Sequence, residues 1–154
     1  MSSRSRASIL IRRNSKVNAT KKIKYGSLNN RQKESYNFQK VSSILVEYGF
    51  VTIKLNDDWQ AADFIAQHID GNTFLKIQLK GRLTVSKKYM NKNIYICFPY
   101  HGDWYLIDHD EVLATISQQY NDTFSKSNSW IKQGEYSWGR ISQKMEEMLA
   151  HYKL

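Results

Sequence analysis

The sequence contains a single cysteine, Cys97, and a single proline among its 154 residues. One thiol excludes an internal disulfide framework and any zinc site built on cysteine pairs. Cys97 lies in the apolar run Ile94-Tyr95-Ile96-Cys97-Phe98, where a thiol is a buried, inert packing group rather than a nucleophile. A reducing, cytoplasmic compartment is the matching expectation. No apolar run approaches the roughly 20 residues that a membrane-spanning helix needs, so no membrane partner is expected. Arg4 and Arg6 precede only Ile9-Leu10-Ile11, too short for the apolar region of a secretory leader. Also missing are a glycine-rich phosphate loop, a nucleophile elbow and any Cys/His zinc spacing. What remains is a chain of one-domain length, 41% hydrophobic and 13% aromatic, sufficient for a real core.

Acidic residues are absent from the start of the chain, the first being Glu34. Nine of the 23 basic residues (Arg4, Arg6, Arg12, Arg13, Lys16, Lys21, Lys22, Lys24 and Arg31) lie within positions 1–31, and the other 14 balance 14 acidic residues. The whole net charge of +9 therefore sits on this segment. A basic arm over residues 1–28 gains affinity for a polyanion by releasing counterions, with no need to read sequence. Two other readings stay open at this point: a solvated tail with no specific role, and an organelle transit segment, which is also Ser/Arg-rich and free of acids.

Beyond the arm, Asn29-Asn30 can cap a helix over 31–47 whose apolar positions Tyr36, Val41, Ile44, Leu45 and Tyr48 recur at three- and four-residue steps. Gly49 suits the helix end, and residues 50–55 form a β-branched strand. Segments 62–69 and 73–79 flank Asp70-Gly71, a strong short-range hairpin signal. Residues 94–99 and 104–107 form a second hairpin, Asp108 can cap a helix over 110–119, residues 121–129 read as a loop, and 140–152 as a helix. The order predicts an α/β domain with a mixed sheet, with a core over 29–120 and an appended loop and helix over 121–154.

With Asp70-Gly71 as a two-residue turn, Ile69 faces Asn72 and, counting outward, Asp63 faces Gln78 on one side of the sheet. Lys80, two residues on, projects from the same face. A four-residue turn is expected to slide this pairing by two, keeping the face and shifting the depth. Asp63 and the amide oxygen of Gln78, with the Leu79 carbonyl between them, are hard oxygen donors suited to magnesium. Such a metal lowers the pKa of bound water and stabilises charge on a phosphate, while Lys80 could act on the attacking water or on the phosphate. The plain alternative is an ordinary ladder in which Asp63 pairs with Lys80.

The segment Asp57-Asp58-Trp59-Gln60-Ala61-Ala62-Asp63-Phe64-Ile65-Ala66, followed by Ile77-Gln78-Leu79-Lys80-Gly81-Arg82, resembles the PD-(D/E)xK nuclease superfamily in order and spacing. The similarity covers roughly residues 30–118, and the preceding helix ending in Tyr48-Gly49-Phe50 resembles the first helix of Holliday-junction resolvases and restriction-type members. The resemblance implies a restriction-endonuclease-like core, a central mixed β-sheet flanked by helices, with Asp63, Gln78 and Lys80 catalytic. In many members the first helix supplies a glutamate to the metal site. Glu34 is the best match here, and Glu47 lies too close to the helix end. Ala62 stands in place of the family proline. Gln78 stands where most members have an acid, which removes a negative charge and weakens metal binding; bacterial intron-encoded homing endonucleases of this fold also use Gln-x-Lys.

Arg82, Lys87 and Lys88, with Tyr89 and Lys92 beside them, follow the site and can contact a phosphate backbone; a solvated loop explains them equally well. His101, Asp103, His109 and Asp110 suit local roles at a hairpin tip and a helix start better than a metal site. Trp104, Trp130 and Trp138 read as packing residues. Residues 134–139 suggest no mechanism. The expectation is thus a Mg2+- or Mn2+-dependent endonuclease acting on double-stranded DNA as a homodimer. Metal would be held by Asp63, Gln78, Leu79 and Glu34, and DNA by Arg82, Lys87, Lys88, Arg12, Arg13, Lys21 and Lys22. The runner-up is a nuclease-like protein that binds DNA without cutting it, and a protein-interaction domain is a third class.

Overall fold

The computed structural model describes residues 20–154. Two compact units divide after Lys33. The described part of the first holds a turn of 3-10 helix, Tyr25–Ser27, and the start of α1, Asn30–Leu45. Asn29 caps that helix reciprocally: its Oδ1 accepts from Gln32 N at 2.9 Å and its own N donates to Gln32 Oε1 at 3.0 Å, two otherwise orphaned donors satisfied together.

The second unit, residues 34–154, is built on a five-stranded sheet of order β1-β2-β3-β5-β6. Its strands are β1 Phe50–Trp59, β2 Ala62–His68, β3 Phe74–Leu79, β5 Ile94–Tyr100 and β6 Asp103–Asp108. Neighbours are antiparallel except β3 and β5, which run parallel, so the sheet is mixed, as expected. Two short strands, β4 Thr84–Ser86 and β7 Glu135–Ser137, pair as a separate antiparallel ladder. Helices α2, His109–Phe124, and α3, Gln143–Leu149, follow β6 and β7.

The alternation of strand residues splits the core into two layers. On one face α1 lays Val41 and Leu45 against Phe64, Ala66, Ile77 and Cys97, with Phe38 packed beside them. The inward stripe of α1 is therefore buried Val41 and Leu45 with half-buried Phe38; Tyr36 and Tyr48, expected within it, are exposed. Burial pushes the Cys97 thiol up to about 12, as an inert packing group requires. On the opposite face Ile94, Ile96 and Phe98 of β5 and Ile107 of β6 pack with Val112 and Ile116 of α2 and with Met145 and Leu149 of α3.

Capping explains the helix starts. Asp108 accepts from Glu111 N at the head of α2, as anticipated, and Ser142 accepts from Met145 N at the head of α3. Gly49 closes the 3-10 extension of α1 at φ 82°, the left-handed conformation that glycine adopts without steric cost.

Two expectations are corrected. Residues 121–129 are not simply a loop: α2 continues to Phe124 across an irregular Tyr120, and a π-turn spans Ser129–Gln133. The continuation is stabilised by Phe124, which is 1% exposed and meets Trp130, Tyr136 and Trp138 at ring-centroid distances of 5.2, 5.8 and 5.6 Å. Second, β1 reaches Trp59 and turns into β2 through Gln60 and Ala61, both at positive φ.

Candidate active site

The β2–β3 hairpin sets the geometry. Its loop is wider than two residues: His68 N donates to Thr73 O at 2.9 Å and Gly71 N to His68 O at 3.0 Å. Asp70 stitches this loop: its Oδ2 accepts from the Thr73 hydroxyl at 2.6 Å, and its Oδ1 accepts from the backbone N of Thr73 and of Asn72 at 2.8 Å each; these donors, the Thr73 hydroxyl foremost, hold its carboxyl well below the usual carboxylate range. The extra residues fall one on each side of the Asp70-Gly71 centre. The pairing therefore does not slide: Phe64 faces Ile77, Ile65 faces Lys76 and Gln67 faces Phe74. One step past Phe64–Ile77, Asp63 and Gln78 come opposite each other.

Their side chains meet. Gln78 Nε2 donates to Asp63 Oδ2 at 2.8 Å, and the same oxygen accepts from Leu79 N at 2.8 Å. Gln78 Nε2 also lies 3.4 Å from the Leu79 carbonyl oxygen. Three of the four residues expected to supply oxygen donors are thus interlocked at the end of the hairpin, where the parallel β3–β5 pairing leaves off with Lys80 N donating to Cys97 O. The Asp63 carboxyl is raised above its ordinary 3.8, chiefly because burial disfavours its charge and also because Glu34 repels it. The Leu79 N–H, the Gln78 amide and the Lys80 ammonium oppose that rise. Asp63 is therefore a partly desolvated carboxylate that responds electrically to both Glu34 and Lys80.

Neither charged neighbour touches it. Glu34 Oε1 pairs with Lys54 Nζ at 3.4 Å, a partner that the sequence reading did not name. Lys80 Nζ lies 3.6 Å from Glu135 Oε2, and 5.5 Å from the ring centroid of Tyr89. The ladder ion pair of Asp63 with Lys80 is thus not formed. Glu135 was also missed, because its strand is three residues long and its partner β4 is distant in the chain; no local pattern marks either.

Arg82, Lys87 and Lys88 are exposed on the connection after β3. Lys87 Nζ sits over Trp130 at 5.2 Å and Lys88 Nζ over Tyr89 at 5.0 Å, so aromatic faces hold both stems in position. Lys21 and Lys22 are exposed in the first unit, and Arg12 and Arg13 lie outside the described residues. The other polar candidates take local roles. His101 stacks on Tyr100 at 4.0 Å, Asp103 pairs with Lys153 at 2.7 Å, and buried His109 accepts from Ser86 N through Nε2 at 3.0 Å while Nδ1 meets Asp110. Among the described residues no three His, Cys, Asp or Glu side chains gather into a metal cluster, and no helix is long and apolar enough to cross a membrane.

In class, the second unit is an α/β domain with a five-stranded mixed sheet flanked by helices, the architecture that the resemblance implied. No family model matches the chain, and no curated protein is significantly similar to it. A solved structure of Archaeoglobus fulgidus Hjc, a Holliday junction resolvase, matches 46% of this chain and 74% of its own, at 16% identity and a TM-score of 0.37.

Proposed function

We propose that the protein is a magnesium-dependent DNA endonuclease that hydrolyses phosphodiester bonds. The observation that carries this reading is the interlocked Asp63, Gln78 and Leu79, with Glu34 and Lys80 both acting on the Asp63 charge. The donors suit a hard divalent cation: two carboxylates that repel one another, an amide oxygen and a backbone carbonyl. Asp63, Gln78, Leu79 and Glu34 would hold Mg2+ or Mn2+, which when bound lowers the pKa of a water and offsets charge on the phosphate.

The remaining work belongs to the chain itself. Lys80 orients the attacking water or neutralises the phosphate. Arg82, Lys87 and Lys88 hold the nearby backbone, and the segment 1–28, through Arg12, Arg13, Lys21 and Lys22, adds sequence-independent affinity for double-stranded DNA. Residues 29–120 form the nuclease core and 121–154 follow it. Cutting both strands with one site per chain calls for a homodimer.

Plasmid cleavage with magnesium tests the assignment. Wild type should nick and linearise supercoiled DNA, while Asp63→Ala and Lys80→Ala each lose at least about 100-fold in rate, the scale of a positioned polar group acting on a proton or developing charge. Nicking that survives both substitutions would sink it. One observation favours the runner-up, a DNA-binding protein that does not cut: Gln78 is neutral and its amide already donates to Asp63. A calorimetric titration with no magnesium or manganese heat, alongside intact DNA binding, would select that reading.

A further inference from the structure

Residues 134–139, which suggest no role in the sequence, carry Glu135 to Lys80. The ammonium of Lys80 lies 3.6 Å from Glu135 Oε2 and 5.5 Å from the centroid of the Tyr89 ring, and Tyr89 is fully buried. Two independent attractions, a carboxylate and an aromatic face, thus fix where the flexible four-carbon stem points. Lys80 acts on two acids. Asp63 senses its charge without touching it, and Glu135 is in contact. An ammonium released from Glu135 and drawn to the Asp63 charge would occupy an oxygen donor that a cation needs.

Glu135 is held in place by its own surroundings. It faces Ser86 across the β4–β7 ladder. Lys87 N donates to Gly134 O at 2.7 Å and Trp138 N to Leu83 O at 3.0 Å, bracketing that ladder. The hydroxyls of Thr84 and Ser137 meet across it at 2.8 Å. Gly134 turns the chain into β7 at φ 71°, and a side chain there would be strained whatever space it had. A carboxylate mounted on a braced ladder positions its partner with little reorganisation.

We infer that Glu135 is a positioning residue, which holds the Lys80 ammonium away from Asp63 and aimed at the phosphate, so that the C-terminal segment completes the site. The inference rests on the nuclease reading above. Its test compares wild type, Glu135→Gln, Glu135→Asp, Lys80→Ala and the Lys80→Ala/Glu135→Gln double variant. The measurements are plasmid-cleavage kcat and KM with magnesium, and manganese affinity by calorimetry without DNA. Glu135→Gln should lose roughly 10- to 100-fold in kcat, the usual effect of removing an outer partner, with KM little changed and manganese affinity weakened. Glu135→Asp should recover part of the loss. In the Lys80→Ala background Glu135→Gln should change neither quantity further, because its effect runs through Lys80. A Glu135→Gln protein with wild-type kcat and manganese affinity overturns the inference, as does an equal further loss in the Lys80→Ala background. Should Glu135→Gln unfold, Glu135→Ala, which also removes the carboxylate, carries the same comparison. A wild type that does not cut overturns the nuclease reading and this one with it, whereas cutting abolished by Asp63→Ala and untouched by Glu135→Gln overturns this one alone.

Discussion

At the scale of single residues, Asp63 is held at a cost that its pH dependence exposes. Burial raises its folded carboxyl above 3.8, and Glu34 adds to the rise. The folded chain therefore holds that proton more tightly than the unfolded chain does. Stability from this group is greatest below 3.8 and is lost as the pH rises through the higher folded value, the reverse of a salt-bridged carboxylate. Asp63→Asn removes the charge while keeping an oxygen to accept from Leu79 N. In a chelator, the variant should be more stable than wild type at pH 7 by urea denaturation, and the gap should close as the pH falls toward the ordinary carboxylate range. A gap that widens on acidification would contradict the burial argument. Added magnesium should raise wild type more than the variant, since a ligand that binds only the folded state stabilises it. A residue that costs stability where a cation would sit fits the usual trade between stability and activity.

At the scale of elements, legibility in the sequence tracked how local the signal was. The β2–β3 hairpin was readable because Asp70-Gly71 marks its centre, and a loop widened evenly about that centre kept Asp63 opposite Gln78. The starts of α1 and α2 were readable from Asn29 and Asp108, whose side chains cap them. The β1–β2 turn was not, because Gln60 and Ala61 take positive φ without the glycine or asparagine that advertises such a turn. The β4–β7 ladder was illegible for another reason. Its strands are three residues long, and its cross-strand pair Thr84–Ser137 joins positions 53 apart, beyond any periodicity. What holds that ladder near the site is the aromatic cluster around Phe124. Phe124→Ala should cost about 3–5 kcal/mol by leaving a cavity among Trp130, Tyr136 and Trp138. A domain of this size, stable by roughly 5–15 kcal/mol, still folds at 25 °C. Cleavage by the folded variant should nevertheless fall, because β7 and Glu135 lose their backing. Urea denaturation gives the first quantity and a cleavage assay well below the melting temperature gives the second. Loss of stability with undiminished cleavage would show that the ladder does not depend on its aromatic backing.

At the scale of the whole molecule, the uneven charge makes a prediction independent of the catalytic residues. Removing residues 1–27 deletes eight basic residues, Arg4, Arg6, Arg12, Arg13, Lys16, Lys21, Lys22 and Lys24, and no acid. Net charge falls from +9 to +1. If these residues contact phosphates, each releases counterions and steepens the dependence of log affinity on log salt by roughly 0.9. The truncated protein should therefore bind duplex DNA more weakly at low salt, with a slope shallower by several units and by at most about 7. The loss should be the same for unrelated DNA sequences, since phosphate contacts carry no sequence information. Fluorescence anisotropy across 50–300 mM salt measures both slope and affinity. With magnesium present and DNA saturating, kcat should stay near wild type, because Asp63, Gln78, Lys80 and Glu135 all lie in the unit that begins at Glu34. A slope that truncation leaves unchanged would mean that the basic segment contributes nothing to binding. DNA affinity would then have to come from the few exposed cations beside the site, Arg82, Lys87 and Lys88, on a unit in which 14 acidic residues slightly outnumber 13 basic ones.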